Sequence, residues 1–395
     1  MTPLRVAVVG AGLAGLSAAD ALVRAGCDVV VREARDRVGG RVWSRRLADG
    51  SVIEMGAEFV LPGNVLVDQA VRRLGLGVWE KGMAYGRREP RGGGAVTEGQ
   101  LRAAAAAIER LLAEGRHASA AALLDRLDQP AAVREAIRAR AEVSAAAAAE
   151  QVGADELAGV AAFSDAPSWG IAGGNQALAL ALAEPLGARL ALSSPVRNIV
   201  WRDDGVLVDG TAADAVVVAV PAPVVSDIAF EPPLPERLQG ALARLGRGHA
   251  AKLFVPLRER PPASAVLSVP GRYWTWTARA AGAVQPVVHA FAGSAAALER
   301  LAVVDGPGRW LESLARLRPD LALDPGGAVL STWSDDPWAR GAYSVHTPGG
   351  NDPALAASYG RLVLAGEHTA GSRAALMEGA LASGARAAAQ VLALR

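Results

Sequence analysis

The first forty residues constrain this chain more than any later stretch. An apolar run over residues 4–9 passes directly into Gly10-Ala11-Gly12-Leu13-Ala14-Gly15, and an acid, Glu33, closes the next apolar run. Gly10 permits the tight turn out of a strand, Gly12 lets backbone approach a pyrophosphate, and Gly15 lets a helix pack closely on a sheet, with Ala14 in the same turn. A helix N-terminus offers unpaired N–H groups to phosphate charge. The spacing predicts a helix over 16–25, stopped by Gly26, and a strand over 28–32. Glu33 then stands where a carboxylate accepts hydrogen bonds from two ribose hydroxyls. A lone glycine triplet says little. With a strand before it, a helix after it and an acid behind, it predicts an adenine dinucleotide site.

The residues that follow select the dinucleotide. Ala34 and Arg35 lead to Gly39-Gly40-Arg41, and then to Gly56-Ala57-Glu58. A nicotinamide site does not need a second glycine pair and an arginine so soon after the ribose acid. An extended flavin dinucleotide does, because more of its length runs along backbone. This segment resembles the entry motif of the flavin-containing amine oxidases, a family that includes monoamine oxidases, polyamine oxidases and lysine-specific histone demethylases. The resemblance implies FAD as cofactor.

With 395 residues, the chain has room for two or three domains and a large core. A formal charge of +1 without a basic block argues against a nucleic acid partner. The single cysteine, Cys27, excludes internal disulfides and reads as a small apolar filler. The five histidines form no ligand-like cluster with it, so no metal is expected. The dinucleotide strand begins too early to leave space for a signal peptide, and no apolar run reaches membrane-spanning length. The expectation is a cytoplasmic protein without a membrane partner.

Along the chain, α/β patterns stand at both ends and in the middle. Residues 99–151 carry apolar positions at helical spacing, such as Ile108, Leu111, Leu112, Leu123 and Leu124, and read as packed helices. Strands are expected over 188–192, 215–220 and 361–364, with a hairpin through Asp203-Asp204-Gly205 and a final helix over 376–394. Gly379 and Gly384 in that helix predict close packing on the sheet. The run Tyr273-Trp274-Thr275-Trp276 looks exposed. The fold class is therefore α/β with an α+β cap. Its Rossmann-type FAD-binding domain is discontinuous (1–60, 170–225 and 331–395). The substrate domain (61–169 and 226–330) holds a mixed sheet and a helical insert.

Three later segments resemble the same family in the same order. Gly366-Glu367-His368-Thr369, with Ala375 and Leu376 ahead of Met377-Glu378-Gly379, resembles its second flavin motif, closest to the polyamine oxidase and histone demethylase branch. The resemblance implies that Glu367 accepts from a ribityl hydroxyl. Trp333 through Ser344 is similar to the strand lining the flavin's reactive face. Ala342 falls where monoamine oxidases carry a covalently linked cysteine, which implies a noncovalent flavin. Tyr343 matches one wall of an aromatic cage that draws the amine by its electron-rich face. The other wall falls on Leu376. Lys252, within Leu253-Phe254-Val255, is costly to bury without a partner, and the resemblance implies that it holds a water at flavin N5. Val196 matches a residue whose backbone pairs with adenine, and Val220 lies in a turn near the pyrophosphate. Glu58, Asp165, Asp335 and Glu378 are acids available to a cationic substrate, none singled out by spacing.

The implied reaction is oxidation of an amine C–N bond. A neutral amine passes hydride from its α-carbon to flavin N5, the iminium hydrolyses, and O2 is reduced to H2O2. The implied partners are a small amine and O2, with a homodimer as the expected assembly. Lys252, Tyr343 and Trp333 are the expected catalytic residues. An L-amino-acid oxidase requires an arginine for the substrate carboxylate, and none announces itself. A C–C desaturase needs neither Lys252 nor Tyr343, and a flavoprotein without catalysis is the remaining alternative.

Overall fold

The computed structural model describes residues 3–115, 117–161, 164–348, 350 and 352–395. Its first sheet is built on the opening strand. β1 (Arg5–Val9) lies parallel between β2 (Asp28–Arg32) and the strand Ala215–Val218. Leu362–Leu364 extends one side in parallel, Leu190–Ala191 pairs beyond β2, and the antiparallel Ser358–Tyr359 closes an edge. Such strands need apolar residues on both faces because helices cover both. Val8, Val29, Val31 and Val217 are accordingly inaccessible to solvent.

The helix after the glycine turn, α1 (Leu13–Arg24), packs on this sheet beside the final helix Met377–Leu392. The sequence predicted that Gly384 lets the final helix approach the sheet. Instead it lets that helix approach α1, since a Cβ at Gly384 would stand 2.2 Å from the Ala14 carbonyl oxygen. Gly15 serves the expected contact, with the Gly10 carbonyl oxygen 1.9 Å from its would-be Cβ. Cys27 is buried at the start of β2 and unpaired.

A second, six-stranded sheet runs in the order Val329–Thr332, Ala250–Pro256, Val287–Gly293, Tyr273–Thr277, Ser264–Ser268, Glu89–Arg91. All its pairings are antiparallel except the last. The helices Glu98–Glu114, Ala120–Arg126 and Ala131–Ala145 cover one face. Thr97 starts the first with a capping box to Gln100. Their Leu101, Ile108, Leu123 and Leu124 share a core with Trp274 and Trp276, while Tyr273 packs on the opposite face around Trp310. The exposed look of this aromatic run is thus corrected: all three rings are buried, because the strand is internal and both faces are covered.

Against the first sheet packs the predicted hairpin, Asn198–Arg202 with Gly205–Val208, which gains the parallel strand Ala229–Glu231. Leu234, Leu238 and Ala241 join the cluster that contains Val9 and Val216. Among the described residues, no helix is long and apolar enough to cross a membrane.

Candidate active site

A cavity of about 560 Å³ runs from the glycine turn of the first sheet to the covered face of the second. Of the residues expected to be catalytic or to bind the cofactor, all line it except Gly15, which sits behind Gly10. At the first end Gly10 adopts φ +102°, a conformation that favours glycine, and Gly12 faces open space. The α1 N-terminus has no side-chain cap, so its first N–H groups face the cavity unspent. The second glycine pair is stitched onto the first, because Gly39 N–H donates to Ala11 O at 2.9 Å. Gly40 then lies beside Gly12, with the Gly12 Cα 3.5 Å from a would-be Cβ. Two backbone loops thus form one elongated cradle with donors for an anion.

Glu33 is buried at the end of β2. One carboxylate oxygen accepts from Ala11 N at 2.6 Å and the other from Arg35 N at 2.9 Å, leaving further lone pairs toward the cavity. Arg35 is fixed by a bidentate pair to Asp336, both contacts at 2.7 Å. Val196 lines the same end, and its backbone N–H and C=O have no partner among the described residues. Ala34, Val220 and Ala375 complete this stretch of wall.

Glu367 is surrounded by protein donors. Its carboxylate already accepts from Arg41 at 2.9 Å, Ser344 N at 3.2 Å, Ser344 Oγ at 2.5 Å and Ala375 N at 2.7 Å. Four protein donors thus converge on its two oxygens. Burial pushes this carboxyl up, but Arg41 and the other donors outweigh it and hold it at about 2. Glu367 ties together three segments of the cavity wall.

Lys252 is tied to the same wall by protein acceptors. It lies on an internal strand and is buried. Its ammonium donates to Glu54 O at 2.5 Å, Gly56 O at 3.0 Å and Glu58 Oε2 at 2.8 Å. All three N–H bonds are directed at protein acceptors. Glu58 also accepts from Lys81 at 2.6 Å, a contact no sequence pattern announced. Burial works against the Glu58 charge, yet Lys252 and Lys81 hold its carboxyl well below the usual range. Glu54 differs: burial, then repulsion from Glu58, raise it to about 7.

The remaining acids are occupied elsewhere. Glu378 accepts from Leu66 N and Val67 N, capping α2 (Val65–Arg73). Asp165 pairs with Arg87 at the surface, and Asp335 accepts from Thr332. Trp333 donates its indole N–H to Met55 O at 2.9 Å and lies against Gly56.

At the far end Tyr343 donates its hydroxyl to Ser144 O at 2.8 Å and stands in the cavity wall, with Leu376 also in the wall. Phe59, Tyr85, Trp274, Trp276 and Phe291 add an aromatic lining that the sequence did not reveal. Phe59 packs on Tyr85, Trp274 and Trp276 at centroid distances of 5.1, 5.6 and 5.5 Å. Two arginines were missed as well. Arg88 lies over the Trp274 and Tyr85 rings at 3.9 and 4.2 Å and donates to Ser144 Oγ at 3.1 Å. Arg140 is buried beside it, and burial followed by Arg88's like charge lowers it to about 9. Arg88 stands in a stretch rich in glycine and arginine, and its only sequence signal is a charge flanked by Tyr85 and Pro90. The period-two spacing of Trp274 and Trp276 could have marked them as one face of a strand.

The family model for flavin containing amine oxidoreductase matches residues 13–169 and 109–392. The chain is 30% identical to the flavin-containing monoamine oxidase AofH of Mycobacterium tuberculosis, over 98% of this chain and 96% of that protein. It is 27% identical to an L-amino-acid oxidase of Mus musculus, over 98% of this chain and 71% of the other. A structure of putrescine oxidase bound to putrescine superposes with a TM-score of 0.83 at 24% identity, covering 99% of each chain.

Proposed function

Since the chain belongs to the flavin containing amine oxidoreductase family, we propose that this cavity binds FAD in extended form and oxidises a small amine above it. The overall reaction converts an amine R2CH–NH2, O2 and H2O into a carbonyl compound, ammonia and H2O2. FAD, when bound, supplies the two-electron acceptor that O2 reoxidises. The observation that carries the reading is continuity: the glycine cradle and the aromatic end belong to one cavity.

The chain's own residues divide the work. Gly10, Gly12 and Ala14 present the α1 N-terminus to the pyrophosphate, Glu33 accepts from the adenosine ribose, and Val196 offers its backbone to adenine. Ala34, Arg35, Gly39, Gly40, Arg41 and Val220 hold the dinucleotide along its length. Gly56, Ala57, Trp333, Ala375 and Leu376 shape the flavin end. Lys252 and Glu58 act on the reaction indirectly, by fixing the 54–58 backbone. Tyr343 and the surrounding aromatic rings exclude water and favour the neutral amine, because burial disfavours its protonated form. In the proposed division, a cofactor unit is built around the parallel sheet and a substrate unit around the six-stranded sheet. The packing of Leu234, Leu238 and Ala241 against Val216 supports moving one boundary past residue 225, to about residue 245.

The test is direct. Purified protein should carry FAD that a panel of primary and secondary amines bleaches without oxygen, with peroxide appearing when air is admitted. A bound flavin that no amine reduces would overturn the proposal.

A further inference from the structure

We infer that Arg88 and Arg140 form the anion-recognising end of the substrate pocket, so that the amine oxidised here also carries a carboxylate. The inference rests on the amine-oxidase reading above and specifies its substrate class.

Both arginines line the same cavity as Tyr343. Arg88 is 2% exposed, and no carboxylate pairs with it among the described residues. Its Nη1 donates to Ser144 Oγ at 3.1 Å, and its Nε has no partner. Ser144 also ties the arginine to the amine-facing wall, because its carbonyl accepts the Tyr343 hydroxyl at 2.8 Å. A buried cation without a counter-ion is costly. Cation–π contact with the Trp274 and Tyr85 rings repays part of that cost, but neither ring supplies an acceptor oxygen for the guanidinium N–H groups in the way a carboxylate does.

The nearby acids do not neutralise this end. Glu58 is held by Lys81 and Lys252, and Glu367 by Arg41. Glu142 is held by Arg272, and Glu156 faces His346 at 3.5 Å. Arg88 therefore keeps its charge at this end of the cavity, with Glu156 on the Tyr343 side. The second arginine adds to it: Arg140's proton is disfavoured by Arg88's charge, and an anion bound between them relieves that repulsion. The Tyr85 phenol responds to the same field. Burial raises it, but Arg88, Ser144 and Arg140 bring it below its ordinary value. An aliphatic diamine, whose far end is an ammonium, meets repulsion here.

The experiment compares matched pairs with the FAD-loaded enzyme: phenylalanine against 2-phenylethylamine, leucine against isopentylamine, and 4-aminobutyrate against putrescine. In at least one pair the carboxylated member should have the higher kcat/KM by about ten- to a hundredfold, the effect of a hydrogen-bonded charge contact. In Arg88→Gln and Arg140→Gln, each checked for retained flavin absorbance, that ratio should fall at least tenfold. The amine-free acid 3-phenylpropionate should inhibit the wild type competitively and lose affinity in both variants. A preference for the uncharged or dicationic member in every pair would overturn the inference while leaving amine oxidation intact. An unchanged ratio in folded variants would overturn it too. Failure of every member to reduce the flavin would sink both readings. If neither variant folds, the wild-type ratios and inhibition by 3-phenylpropionate decide alone.

Discussion

Lys252 donates to Glu58 at 2.8 Å in the buried wall of the cavity, and the chain's other lysine, Lys81, reaches the same carboxylate at 2.6 Å. A chain with only two lysines and many arginines has placed both on one acid. The ammonium of Lys252 also holds two carbonyls, of Glu54 and Gly56, and so sets the path of the strand edge at the flavin end.

Lys252→Met should therefore act first on stability. Breaking a buried pair costs about 3–5 kcal/mol, and Lys81 as a remaining partner for Glu58 places the loss at the lower end. Urea unfolding of the holoprotein reads it, and Lys252→Arg, which keeps the charge, should lose less. Wild-type stability combined with flavin reoxidation slowed about a hundredfold would reverse the assignment and return Lys252 to a role on an active-site water.

The dinucleotide end makes a different forecast. Glu33→Ala removes the acceptor of two backbone N–H groups as well as the proposed ribose contact. FAD affinity should fall about ten- to a hundredfold, since hydrogen bonds to a charged group are worth about 1.5–3 kcal/mol. Gly12→Val should be worse, because it fills space that is open in the cradle. Equilibrium dialysis measures both, and full flavin occupancy in Glu33→Ala would refute the ribose assignment.

How much of this could be read from the sequence depended on range. The unit from β1 to Glu33 was legible because its parts lie within thirty residues and each glycine answers a local requirement. The corner at Gly366 was legible for the same reason. The Glu58 cluster was not, since Lys81 and Lys252 come from segments 171 positions apart that only the second sheet brings together. Arg88 and Arg140 were hidden likewise: each looks like a solvated charge until the helix Ala131–Ala145 covers the strand Tyr273–Thr277. Glu367 was recognised as important, but a motif does not say how many protein donors surround an acid.

Ala342 stands in the cavity wall beside Tyr343 and offers no nucleophile. Acid precipitation should release FAD into the supernatant, read by its absorbance. Flavin that stays with the precipitated polypeptide would defeat the claim of noncovalent binding.

The last prediction concerns acid stability. His289 and His368 are buried, and burial depresses them to about 3 and about 4. In the unfolded chain a histidine titrates near 6.5. Between these values the unfolded state binds more protons than the folded one, so stability falls as pH falls from about 6.5. Each histidine should cost about 2 kcal/mol at pH 5 relative to pH 7. Glu54 has the opposite sign. Its carboxyl, raised to about 7 by burial and then by Glu58, takes up a proton in the folded state first. Acidification from pH 7 to 5 therefore gains about 2 kcal/mol at this site and offsets one histidine. His289→Gln should flatten the loss of stability between pH 7 and 5 by about 2 kcal/mol, and Glu54→Gln should steepen it by a similar amount. Urea unfolding at pH 5, 6 and 7 separates the two. The same pH slope in both variants and the wild type would place the titration on other groups.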